Sequence, residues 1–180
     1  ARWEMLKDRV DWTMQDFFTK RSINSLNPDT PDNTQDTNVF TLGSNIYFPI
    51  SGRQLVTVQP EYRKFTYEVL RIDNQQNSLS TNWNYQIFRT MSVGLRGNVN
   101  KVDYDEPAIA DNTFRTISLV ISGQRARSSY DIDLGVTRVD REGSSGERGL
   151  TGNMSWLFNL AGSSNVRTSI SSILTNASNN

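Results

Sequence analysis

Residues 77–87, NSLSTNWNYQI, alternate between two kinds of side chain without a break. Leu79, Thr81, Trp83, Tyr85 and Ile87 fall on one phase; Ser78, Ser80, Asn82, Asn84 and Gln86 fall on the other. Side chains on an extended strand point to alternate faces, so this segment builds a sheet with one apolar and one polar side. The same period recurs along the chain. Between Gly and Pro punctuation it places about ten strands near 2–6, 10–22, 37–49, 54–70, 77–88, 91–103, 113–126, 129–140, 148–160 and 164–175. No segment of comparable length carries an apolar stripe at helical spacing, so very little helix is expected.

The connections come in two sizes that alternate. Short ones fall at Lys7-Asp8-Arg9, Ser51-Gly52-Arg53, Arg89-Thr90, Arg127-Ser128 and Ala161-Gly162-Ser163-Ser164. Long polar ones fall at 24–36, 72–76, 103–111 and 140–147. After the second, the short turns recur at intervals of roughly 35–38 residues, one hairpin of long strands plus a loop. Most of the strands span about twelve residues or more, whereas strands of soluble proteins run about five or six. A tilted strand needs about 9–11 residues to cross the hydrocarbon of a bilayer. The pattern predicts an antiparallel up-and-down meander from the wall of a transmembrane β-barrel, with short turns periplasmic and long loops extracellular.

Bulk composition agrees with this reading. Only 36% of the 180 residues are hydrophobic and mean hydropathy is −0.56, so no membrane-spanning helix is available. A barrel strand is apolar on one face only and tolerates that composition. Nineteen basic residues cancel nineteen acidic ones, which removes an electrostatic case for nucleic acid. There is no cysteine and no histidine, and so no disulfide, no thiolate and no imidazole base or ligand.

The apolar phase reads Phe40, Leu42, Ser44, Ile46, Phe48; Val56, Val58, Pro60, Tyr62; Met91, Val93, Leu95, Gly97, Val99. It continues Ile117, Leu119, Ile121; Tyr130, Ile132, Leu134, Val136; Leu150, Gly152, Met154, Trp156, Phe158; Val166, Thr168, Ile170. None of these positions is charged, as lipid requires: an Arg or Lys at the bilayer midplane costs about 2–4 kcal/mol. The other phase supplies lumen-lining candidates: Glu61, Arg63, Asn82, Asn84, Arg96, Asn98, Asp131, Asp133, Asn153 and Arg167. Trp12, Phe48, Trp83, Tyr85, Phe88, Tyr130, Trp156 and Phe158 are lipid-facing or girdle candidates, and Tyr47 joins them near the short turns. Tyr62, Phe65, Tyr67 and Tyr104 form a second aromatic cluster towards the loop end, a candidate outer girdle.

Chemistry of other kinds is weakly represented. Asp103-Tyr104-Asp105-Glu106 is the one dense acidic cluster, but Pro107 follows at once and calcium-loop spacing is absent; neither metal nor cofactor is expected. Asp131 and Asp133 share a face and read as electrostatic lining rather than a hydrolytic pair. Residues 141–146, REGSSG, lack the pattern of a phosphate cradle, and the sequon Asn176-Ala177-Ser178 carries no meaning in a bacterial setting. A Ser–His constellation is excluded, so the chain is expected not to be an enzyme. The alternative architecture is a soluble periplasmic β-barrel or β-sandwich carbohydrate-binding module, in which the aromatic face would be buried.

At 12–16 (WTMQD), at Tyr62-x4-Tyr67-Glu68-x4-Asp73-Asn74 and through the Ser/Asn-rich strands that follow, the sequence resembles a bacterial family. This is the β-barrel porin family of outer-membrane proteins associated with exopolysaccharide and exosortase (PEP-CTERM) gene clusters. The resemblance implies a Gram-negative outer membrane and transport through a barrel larger than this piece. It also implies a link to export or assembly of surface polysaccharide, with outer-membrane lipid, and polysaccharide or export-complex proteins, as partners. It carries over no catalytic residues. Both ends of a ten-strand meander with periplasmic short turns fall on the extracellular side. Residues 1–180 are therefore expected to be a single segment of a longer barrel.

Overall fold

A computed structural model describes residues 2–6, 9–23, 30, 33–69, 72–144, 146–161 and 164–172. Within them the chain forms ten strands and no α-helix: β1 (Arg2–Leu6), β2 (Val10–Ser22), β3 (Thr34–Ser51), β4 (Gln54–Tyr67) and β5 (Asn74–Phe88). Then follow β6 (Met91–Tyr104), β7 (Asn112–Arg125), β8 (Ser128–Arg141), β9 (Glu147–Ala161) and β10 (Ser164–Ser172). They lie in one sheet in sequence order, each antiparallel to the next. Among the described residues β1 pairs only with β2 and β10 only with β9, so the sheet is open. The expected meander is the observed one. The turns at Lys7-Asp8 and Gly162-Ser163, most of the 24–36 loop, Ser145 and everything after residue 172 lie outside the described residues.

Two strand starts differ from the sequence reading for one reason, and β4 ends at Tyr67 rather than near 70. β5 begins at Asn74 rather than near 77, and β3 at Thr34 rather than near 37. Gln75 and Gln76, like Gln35 and Asp36, are polar on both faces, so no alternation announces the strand. Backbone pairing continues regardless: Asn74 lies opposite Tyr104, Gln75 opposite Asp103, and Gln35 opposite Arg21. An Asp-Asn dipeptide marks the re-entry into β5, and a second marks the re-entry into β7. Asp73 Oδ1 accepts from the Tyr67 backbone N–H at 2.7 Å, and Asp111 Oδ1 accepts from that of Tyr104 at 2.9 Å. Asn74 and Asn112 each donate from Nδ2 to a carbonyl two residues back, at Ile72 and Ala110. Each pair ties the last residue of one strand to the first of the next.

Burial is inverted relative to a soluble domain. Only Val102 and Val139 are buried apolar residues among those described, at 7% and 4% exposure, while twenty large apolar side chains are exposed. The buried polar residues include Ser118, Thr137 and Thr37. Residues paired across an antiparallel sheet share a face. The row Trp83–Leu95–Leu119–Leu134 is therefore continuous on the apolar side, and Asn82–Arg96–Ser118 on the polar one. Leu95, Leu119 and Leu134 are 51%, 45% and 58% exposed, so no sealed apolar core exists on that side. The polar side is held by uncharged side chains bonding across strands. Ser92 meets Ser122 at 2.8 Å, Asn98 donates to Ser80 at 2.6 Å, and Thr137 contacts Thr116 at 2.8 Å and Thr151 at 3.2 Å.

Candidate functional site: a polar wall and an apolar belt

The register places Glu61, Arg63, Asn82, Asn84, Arg96, Asn98, Asp131, Asp133 and Asn153 on one face. The backbone pairs Arg167 with Leu157 on the same phase; its side chain lies outside the described residues. Strand spacing then decides which of these meet. Arg96 on β6 reaches over β7, where Ser118 and Val120 leave room, and its guanidinium bonds Asp133 Oδ2 on β8 at 2.5 Å. Arg63 pairs with Glu61 on its own strand at 2.9 Å, and both line a polar hollow of about 270 Å³ with Gln76, Ser78, Asn98 and Asn100. A second cleft, of about 600 Å³, lies at the short-turn end between Arg53, Asn84, Gln86, Ser122 and Tyr130. Opposite charges, amides and hydroxyls along this face form a surface of mixed field, chemically able to hydrogen-bond water and other hydroxylated molecules.

Aromatic positions divide. Trp12, Phe48, Trp83, Tyr85, Tyr130, Trp156 and Phe158 share the apolar phase. Phe88 would alternate to the polar side, but a register shift between Gln86 and Phe88 sets it opposite Met91 and turns it to the apolar face, 64% exposed. Trp83 stacks on Tyr85 with centroids 6.4 Å apart, and Trp156 tilts against Phe158 at 5.8 Å. Tyr47 departs from the expectation: it lies on the polar phase and its hydroxyl donates to Asp11 Oδ2 at 3.5 Å. The second cluster also divides. Tyr62 faces the apolar side, whereas Phe65, Tyr67 and Tyr104 fall on the polar phase with Phe17 and Val39. These four strands therefore carry an apolar strip on the polar face near the loops, invisible without the register.

The sequence reading also missed charge on the apolar phase. Asp16, opposite Phe40, interrupts the belt on β2. Lys20, Lys64, Lys101, Arg115, Arg138 and Arg148 extend that phase at its loop end, one on each of β2, β4, β6, β7, β8 and β9. Counting from the short turns would have found them; periodicity within a single strand could not. Asp103, read as part of a loop cluster, belongs to β6 and contacts the Lys101 ammonium at 2.5 Å. Among the described residues no group of three or more carboxylates could hold a metal ion.

Neither a family model nor a curated protein matches the chain. Two solved structures do. One is OmpT of Vibrio cholerae, expressed in the outer membrane, with a TM-score of 0.56 and 11% identity over 90% of this chain and 66% of that one. The other is its loop L8 deletion mutant, with a TM-score of 0.53 and 11% identity over 86% and 67%. The chain thus spans about two thirds of the length of the barrels it matches. The expectation that it is not an enzyme, drawn from the missing histidine, is corrected by this likeness to OmpT. A shared fold hosts unrelated activities and carboxylates also serve as general bases, so the exclusion falls. What the likeness establishes is architecture: the chain has the fold of an outer-membrane β-barrel wall.

Proposed function

We propose that this wall lines a water-filled, porin-like pore in a Gram-negative outer membrane. The observation that carries the reading is the inversion of burial across a single sheet. Ser118 and Thr137 are nearly closed off on the side that bears the Arg96–Asp133 pair, while Leu119, Leu134 and Leu150 stand exposed on the other. Large apolar side chains left uncovered in such numbers require a non-aqueous neighbour, and hydrocarbon is the one that accepts a whole sheet face. The polar face is then the lumen, with Glu61, Arg63, Arg96, Asp131 and Asp133 setting its field. We further propose that residues 1–180 are one section of a larger barrel, in which neighbouring strands satisfy the open edges of β1 and β10.

The cargo proposed is surface polysaccharide in the course of export or assembly. Two features support it: the resemblance to exopolysaccharide-associated porins at 12–16 and 62–74, and a lining of amides and hydroxyls matched to sugar hydroxyl groups. Planar-bilayer recording tests the pore. The reconstituted full-length barrel should conduct in discrete steps, and neutral polysaccharide fragments added to one side should interrupt the current. Arg96→Glu leaves Asp133 facing a second carboxylate and should shift selectivity towards cations. A membrane-inserted full-length barrel that never conducts would end the proposal, and unchanged selectivity would remove Arg96 from the lumen.

A further inference from the structure

Six cations on the apolar phase share one level. Lys20, Lys64, Lys101 and Arg138 stand eleven residues beyond Arg9, Arg53, Thr90 and Arg127, the last turn residues before their strands; Arg115 stands eleven before Ala126. Arg148 lies directly opposite Arg138. Eleven residues at about 3.4 Å each, tilted by about 40°, rise about 29 Å, just past an apolar band about 25 Å tall. The cations therefore stand at the headgroup level of the leaflet on the loop side.

On β7, β8 and β9 they are contiguous: Arg115 opposes Arg138, and Arg138 opposes Arg148. Like charges set directly opposite destabilise a strand pair. The carboxylate that touches this row is Asp140, at 3.2 Å from Arg115 and 2.6 Å from Arg138. Lys20 and Lys101, by contrast, each have a carboxylate of their own, Asp36 and Asp103. Two guanidinium groups sharing one acid, with a third directly opposite, leave net positive charge for an anion, and guanidinium is well suited to phosphate. Directly below, on the same face, is an apolar cleft of about 450 Å³ lined by Leu95, Ile117, Leu119, Leu134, Val136 and Leu150. Each arginine has a lining residue two positions away on its own strand: Ile117, Val136 and Leu150. Ile117 and Leu150 are 72% and 80% exposed.

We propose that Arg115, Arg138 and Arg148, with this cleft beneath them, bind one phosphorylated, multiply acylated lipid of the outer leaflet, the lipid A portion of lipopolysaccharide. Its phosphate lies on the guanidinium row and its acyl chains lie in the cleft. The site rests on the assignment of the apolar face to lipid, but not on whether the lumen conducts.

The test uses the full-length barrel reconstituted in phosphatidylcholine vesicles, with retained lipid measured by mass spectrometry after washing. Diphosphoryl lipid A should be retained at least tenfold more than lipid A with the same acyl chains and no phosphate, and millimolar inorganic phosphate should not displace it. Arg138→Gln with Arg148→Gln should lower retention about tenfold, while Arg53→Gln, at the opposite end, should leave it unchanged. Equal retention of the two lipids by the unaltered chain overturns the proposal, and that comparison stands even where the double variant does not fold. Displacement by inorganic phosphate overturns it in favour of a free-anion site. A chain that binds both lipids equally yet conducts fails this inference alone. A chain that never enters vesicles fails the pore as well.

Discussion

Close approach between strands turns on single glycines, and two of them on β6 give opposite forecasts. A Cβ on Gly94 would lie 2.5 Å from the Trp83 carbonyl oxygen, a backbone atom that cannot step aside. A Cβ on Gly97 would meet nothing within 4 Å. Gly94→Ala should therefore lose about 1–3 kcal/mol in urea unfolding from lipid vesicles, as overpacking does, and Gly97→Ala should be neutral or slightly stabilising. Equal effects would mean that the pairing of Asn84 with Gly94 is misplaced. Gly123 is the aromatic counterpart, because the Tyr130 ring on the next strand lies over it and fills the space a Cβ would need. Alternation separates Gly94 from Gly97 by face. It could not show which glycine sits under a ring, since that depends on a partner seven residues further on.

Strands of this length behave as two surfaces laid back to back, so neighbouring positions should tolerate the same change very differently. Leu119→Arg puts a charge in the belt between Leu95 and Leu134 and should cost about 2–4 kcal/mol of stability in a bilayer, read from the same unfolding curves. Val120→Arg, one residue on and opposite Asp133, should cost far less. The sequence was most legible where the two surfaces differ in chemistry, as from Leu79 to Tyr85. It failed where both are polar, at Gln75-Gln76 and Gln35-Asp36, and the strands there were read as loops. The Asp73-Asn74 clamp is the signal that could have located the start of β5, because an Asp that caps the preceding strand's N–H must stand beside it.

At the scale of the whole wall, the absence of cysteine makes each face addressable one residue at a time. In reconstituted vesicles, Asn98→Cys should react with a charged thiol reagent, whereas Leu95→Cys, three residues away and on the other phase, should resist it until detergent is added. The reverse pattern would exchange lumen and lipid throughout. The strand count and order were legible from turn spacing alone. The arginine row was not, because Arg115, Arg138 and Arg148 meet only once three strands are aligned. Nor was the apolar strip of Phe17, Val39 and Phe65 on the polar face, which breaks the rule that carried the rest. The sheet order bears on assembly: since every strand's partners are its neighbours along the chain, no segment must wait for a distant one. The wall can be laid down hairpin after hairpin, each addition covering one bare edge and presenting a single new one, with the loop-closure cost that slows most β-proteins incurred in small instalments.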